Sequence, residues 1–289
     1  MWFLYALIAA LITSFLPIIN KRLLRDTDAS VVAWGFNALS LPLLAIATIV
    51  LMPASQVDEI FWLGIVASGI LNMIATLLST QALKLGDASL VTPFLTFNPI
   101  FTLVVSFFTL GEIPSATGIA GVCIIAAGGY FFALENTRAG WLAPLRALLE
   151  TRGVLLAIAA SFVWGLTPIF EKIAMQHSAP QNPPLVAFWT TAIMSALLLP
   201  AMLMRAPQPF AQIARHARGF ALAALLAGIA PLFGFTAIAL GLVGYVTAIF
   251  KLSPVFTVLW AFWFLREENI RARLIGSAVM ASGAMLLAL

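Results

Sequence analysis

Lys251 is the residue in this sequence best placed to do chemistry, because of what surrounds it. It opens the stretch Lys251-Leu252-Ser253-Pro254-Val255-Phe256-Thr257, inside an apolar run from Val243 to Leu265. A charge near the centre of a membrane-length helix costs roughly 2.5–3.5 kcal/mol, so such a residue faces a cavity or a partner. Pro254 removes the hydrogen bond from its own nitrogen to the carbonyl of Phe250. A cation beside a helix break points to a polar pocket rather than a lipid-facing wall. An altered copy occurs earlier as Thr96-Phe97-Asn98-Pro99-Ile100-Phe101-Thr102, with Thr96 in the place of Lys251.

Other residues add to this set. Asn72, Asn98, Thr96, Trp164 and Trp189 are polar or aromatic side chains within apolar runs, suited to line a binding site around Lys251 or to pack and bond between helices. Glu171 is a carboxylate inside a span, on one helix face with Thr167 and Trp164. Proton coupling, a gate, a counter-ion to Lys251 and an ordinary helix-end charge are all open to it. Lys21 and Lys172 each follow a proline by four residues, as Pro17 and Pro168, and read as gating groups or as snorkelling anchors. Asn20 sits beside Lys21 and joins the coupling or gating set. Pro93, Pro99, Pro168 and Pro254 are expected to break or bend their helices.

The chain that must position these residues has 289 residues, of which 62% are hydrophobic and 9% charged. Soluble domains carry roughly a quarter charged residues. Apolar runs of spanning length recur at about 2–22, 29–52, 60–82, 88–109, 115–134, 153–174, 184–204, 218–239, 243–265 and 270–289. The fold class expected is an all-α polytopic membrane protein with ten transmembrane helices. The first run has no basic segment or small-residue cleavage site before it and reads as a retained helix.

The run Glu135 to Arg152 separates two halves, 1–134 and 153–289, and its leucine spacing suits a short interfacial helix. An offset of 155 residues relates Pro99 to Pro254, Gly86 to Gly241, Glu112 to Glu267, Gly121 to Gly276 and Gly128 to Gly283. A weaker echo relates Pro17 and Lys21 to Pro168 and Lys172. Five spans per half is an odd number, so the halves lie inverted in the bilayer. Basic residues crowd one end: Lys21, Arg22, Arg25, Lys84, Arg138, Arg146, Arg152, Arg205, Arg215, Arg218, Arg266, Arg271 and Arg273. By the positive-inside rule that end is cytoplasmic, and both termini are then outside. The net charge of +4 is accounted for by this asymmetry rather than by nucleic-acid binding. One cysteine and two separated histidines, His177 and His216, provide no metal centre or catalytic constellation. No cofactor and no enzymatic activity are expected.

The repeated proline, aromatic, glutamate and glycine pattern resembles the drug/metabolite transporter superfamily, in its EamA-type ten-helix branch. One copy runs from Asn98-Pro99-Ile100-Phe101 through Gly111-Glu112 to Gly121 and Gly128. The second runs from Ser253-Pro254-Val255-Phe256 through Glu267 to Gly276 and Gly283. Trp164-Gly165 with Lys172 looks like the family's opening of a repeat, although the first half has Thr13 where the second has Trp164. The resemblance implies a secondary transporter of a small polar metabolite in a bacterial cytoplasmic membrane, working by alternating access as a monomer or homodimer, with a proton or a counter-substrate as coupling partner. Lys251 is similar to a phosphate-binding lysine in plant sugar-phosphate translocators, whose adjacent arginine is Leu252 here. That favours a phosphate- or carboxylate-bearing solute. Export of neutral amino acids stays open, as does a non-transporting lipid-handling or structural protein.

Overall fold

The computed structural model describes residues 1–51, 55–85, 92–134, 151–265 and 271–288. The expected interfacial helix, apart from its last residues, lies outside them. The first half consists of α1 (Trp2–Thr13), α2 (Leu16–Leu23), α3 (Ala29–Leu51), α4 (Glu59–Leu85), a 3₁₀ turn (Thr92–Thr96), α5 (Asn98–Leu110) and α6 (Ala116–Leu134). The second consists of α7 (Arg152–Gln176), α8 (Pro183–Arg205), the short α9 (Pro209–Arg215), α10 (Ala217–Leu240), α11 (Val243–Phe250), α12 (Ser253–Leu265) and α13 (Arg271–Ala288). Helices α5 and α12 begin and end 155 residues apart, as the sequence offset requires.

Among the described residues six helical spans are long and apolar enough to cross a membrane, and shorter apolar helices accompany them. The short ones have a local cause. The span expected at 243–265 is two helices, α11 and α12, joined at Lys251 and Leu252. Its counterpart is the 3₁₀ turn followed by α5. Pro99 and Pro254 therefore sit in the first turn of α5 and α12, where a missing N–H costs little, rather than inside a continuous helix. The first span also breaks, at Ser14, between α1 and α2. That break is covered from the second half: Thr257 Oγ1 donates to the Ser14 carbonyl at 2.8 Å and Trp260 Nε1 to Ser14 Oγ at 2.8 Å. Phe15 stacks on Trp260 with ring centroids 4.8 Å apart, which gives Trp260 a packing role.

The principal interfaces join one half to the other in matched fashion. Helix α4 packs on α7, and in the repeat-related contact α1 packs on α10; α3 packs on α8, and α6 on α13. Small residues let the backbones approach. A Cβ added at Gly121 would lie 2.9 Å from the Gly283 carbonyl oxygen and 2.9 Å from Leu287 Cγ. Gly121→Val should therefore force α6 from α13 and cost roughly 1–3 kcal/mol by overpacking. Thermal unfolding in detergent checks this: the melting point should fall by several degrees, and an unchanged value would mean the two helices are not held by this contact.

Alternation of the helices puts the chain ends, Asp58, Glu112, Lys172 and His177 at one end of the bundle, with Arg22, Arg25, Arg205, Arg215 and Arg218 at the other. A short antiparallel bridge, Gln56–Val57 (β1) with Ser178–Ala179 (β2), ties the halves together at the first of these. Beside it, Asp58 Oδ2 lies 2.7 Å from His177 Nδ1, and this hydrogen bond holds the exposed Asp58 carboxyl below its usual range.

Candidate functional site

The two interrupted spans meet within the bundle. A proline at position i has no N–H for the carbonyl at i−4, so Pro99 leaves the Leu95 carbonyl free of its helical partner. The ammonium of Lys251, at the C-terminal end of α11, lies 3.5 Å from that oxygen. A cation supplied by one half thus faces a carbonyl uncovered by the proline of the other. Among the described residues no carboxylate forms an ion pair with Lys251. In particular Glu171 is not its counter-ion in this conformation. Asn98, at the start of α5, has a buried Oδ1 without a hydrogen-bond partner. Buried polar atoms are rarely left so, and one beside a helix break is available to a ligand or to water. Gly165 is what lets α7 approach this turn: a Cβ there would lie 3.0 Å from the Asn98 carbonyl oxygen. Thr102 Oγ1 donates to the Gly165 carbonyl at 2.9 Å, closing the same contact. Thr96 lies against Gly129 of α6 at this level.

Trp164 is half-buried on α7, one residue before Gly165. Pro168 has no N–H to offer the Trp164 carbonyl, and Thr167 Oγ1 donates to that oxygen instead at 3.0 Å. The helix consequently continues through Pro168 without interruption, from Arg152 to Gln176. Trp189 sits elsewhere. It lies about two turns into α8 from the far end, edge-on to Trp62 with centroids 4.8 Å apart, and so belongs to an aromatic cluster near that end.

Glu171 is buried where α7 packs on α4. It accepts one hydrogen bond from Ser68 Oγ at 2.8 Å, and Asn72 Nδ2 reaches the Ser68 carbonyl at 3.1 Å. Asn72 therefore belongs to this carboxylate cluster. Asn20 is on α2 with a buried, unpartnered Oδ1. Lys21 is on α2 as well, its side chain outside the described set. Pro93 lies in the 3₁₀ turn.

Lys172 points away from its neighbour. Its ammonium contacts Glu112 Oε1 at 2.5 Å and donates to the Gly241 carbonyl at 2.7 Å. Glu112 Oε2 in turn accepts from the Val243 N–H at 2.8 Å, at the N-terminus of α11. Helix dipoles favour a carboxylate there. Tyr245 Oη, two residues further, accepts from the Ser115 N–H at 2.8 Å. These bonds draw the loop after α5, the end of α7 and the start of α11 together. Sequence reasoning placed Glu112 only in the repeat and did not foresee the pair; its alignment with Glu267, just after Gly111, was the available signal.

The two ends of the bundle differ. At the far end α11 is buried from Val243 to Ile249 and packs on α5, α1, α6 and α7. At the basic end its repeat-related counterpart, the 3₁₀ turn, packs on α6 and α7. Among the described residues it makes no comparable contact with α12 or α13. The site at Lys251 is thus covered at the far end by the packing of α11.

A model of the EamA-like transporter family matches residues 1–134 and again 151–289. One solved crystal structure aligns with a TM-score of 0.76 at 17% identity, covering 100% of this chain and 98% of that one; it is among 29 solved chains that match. At that identity the likeness is one of fold. No curated protein matches the chain.

Proposed function

Because the chain belongs to the EamA-like transporter family, we propose that it carries a small polar metabolite bearing a phosphate or carboxylate group across a bacterial cytoplasmic membrane by alternating access. The observation that supports an anionic solute is Lys251, a cation at the meeting of two helix breaks with a backbone oxygen 3.5 Å away and no carboxylate partner among the described residues. The cost of holding that charge between helices is offset when an anion occupies the site. Asn98 orients the rest of the solute, with Thr96 and Trp164 on the neighbouring walls. Trp189, by its position near the far end, lines the path rather than the centre.

The charge asymmetry assigns the basic end to the cytoplasm, with both termini outside. The end closed over α11 is then the outer one. The Glu112–Lys172 network and the Tyr245–Ser115 bond hold the outer closure, and movement of one inverted half against the other reverses it. Saturable flux of phosphorylated or carboxylated metabolites into liposomes containing only this protein tests the reading. Flux of neutral amino acids unaffected by such anions would replace it with the exporter alternative.

Glu171 supplies the coupling proton. It is a buried carboxylate with one neutral donor, at the largest interface between the halves, so its protonation is tied to how α4 and α7 pack. Glu171→Gln keeps the Ser68 hydrogen bond and removes the titration. It should abolish accumulation driven by a proton gradient while leaving solute exchange across the same liposomes intact. Unchanged proton-driven accumulation would assign Glu171 to packing.

A further inference from the structure

The basic end carries a cluster of cations that the transport site does not use. Arg22 of α2, Arg215 of α9 and Arg218 of α10 line one cavity of about 550 Å³, together with His216. Among the described residues none of the three arginines forms an ion pair. Two acids of the same end, Asp26 and Asp28, line a separate cavity with Arg25 and Arg215, and Asp28 is already held by Gln212 Nε2 at 2.8 Å. The first turn of α10 forms part of the wall, so the positive end of its helix dipole adds to the three charges. Like charges around one cavity repel one another, and an anion lying among them relieves that repulsion.

A second cavity begins where this one ends. Ala214 and Ala217 line both. The second is an apolar groove of about 520 Å³ between α3 and α10, walled by Leu39, Pro42 and Ile46 on one side and Ala221, Ala224 and Leu225 on the other. Leu39, Ile46 and Leu225 are exposed, and the two alanines make the floor concave. From Ala217 to Leu225 the groove runs about 12 Å down the helix, into the depth of the hydrocarbon. A cationic cavity at the headgroup level, continuous with an apolar channel below it, matches one class of molecule. We propose that it binds a single anionic phospholipid, the phosphate among Arg22, Arg215 and Arg218 and one acyl chain in the groove between α3 and α10. This site is independent of which solute is carried.

The test uses the delipidated full chain in neutral detergent. Phosphatidylglycerol and phosphatidylcholine with the same acyl chains compete for the wild-type protein, and native mass spectrometry counts what is retained. Roughly tenfold preference for phosphatidylglycerol is expected, because basic residues at a membrane surface attract anionic lipid and salt screens much of that attraction. Equal retention of the two lipids by the wild type overturns the proposal without recourse to any variant. The combined Arg22→Gln, Arg215→Gln and Arg218→Gln protein should lose the preference, and its persistence would also overturn it. Ala221→Phe fills the groove and should weaken retention of both lipids while keeping their ratio; unaltered retention would show that no chain lies there. Inorganic phosphate separates the two sources of the anion. It should raise the melting point far less than phosphatidylglycerol does, and an equal rise would make this a free-anion site instead.

Discussion

Lys251→Met should leave the protein folded and at least as stable as the wild type, and deaf to anionic metabolites. Methionine has nearly the length and volume of lysine without the charge, so it fills the same space at the junction of α11 and α12. Removing an uncompensated charge from a membrane-length segment gives back roughly 2.5 kcal/mol of insertion cost. The hydrogen bond it forfeits is a long one, 3.5 Å to the Leu95 carbonyl. The effect of the substitution emerges when an anion is offered. A buried charge pair between ligand and protein is worth about 2–5 kcal/mol when one partner is truncated, some 30-fold or more in affinity. Because a ligand that binds only the folded state raises its melting point, a panel of phosphorylated, carboxylated, zwitterionic and cationic metabolites reads this directly. The wild type should be stabilised by phosphates or carboxylates and the variant by none. Equal stabilisation of both proteins by zwitterions or cations would end the anion reading. A large fall in the variant's own melting point would make Lys251 structural.

The sequence carried the fold because two independent signals agreed: apolar runs of spanning length and a register that aligned proline, glutamate and glycines in one frame. The helix bounds of α5 and α12 follow that register residue for residue. What the register could not give was the direction of side chains. Lys172 follows Glu171 directly, and adjacent residues on a helix point some 100° apart. One turns into α4 and the other out to Glu112. No spacing rule connects position 112 to position 172, so the ion pair at the far end was out of reach. The same holds for Trp189, whose place is set by Trp62 on another helix. One partner was within reach of the sequence. Pro99 implies an uncovered Leu95 carbonyl, and this is the oxygen that Lys251 approaches. The sequence also repeats the two charges of the far-end pair, as Lys21 with Lys172 and Glu112 with Glu267, so each half contributes one member to each set.

Lys172→Met should open the far end. The ammonium and Glu112 retain side-chain exposures of only 13% and 8%, which takes the pair out of the class of surface ion pairs that contribute little. Breaking a buried pair by removing one partner costs about 3–5 kcal/mol, since the other charge is left behind. Here Glu112 keeps one bond, from the Val243 N–H, and stays at the N-terminus of α11, so the lower part of that range applies. Methionine supplies nothing for the Gly241 carbonyl either, and the turn between α10 and α11 loses its tie to α7. A cost near 3 kcal/mol on one conformation is about a hundredfold change in its population relative to the other. The single native cysteine makes this measurable. In a Cys123→Ser background, Thr247→Cys places a thiol on buried α11, behind the closure. A membrane-impermeant thiol reagent added from outside should label it slowly when Lys172 is present and many-fold faster in Lys172→Met. Glu112→Gln should be intermediate, because the amide oxygen still accepts from one donor but attracts the ammonium weakly. Labelling that is equally slow in all three proteins would show that packing of α11 against α5 holds the far end without the ion pair. Fast labelling in all three would mean that the closed conformation is a minor one in the membrane. The direction of the shift also separates a gate from a general weakening. A gate variant exchanges one closed face for the other and keeps its melting point within a few degrees, whereas a merely destabilised bundle would become reactive from both sides at once.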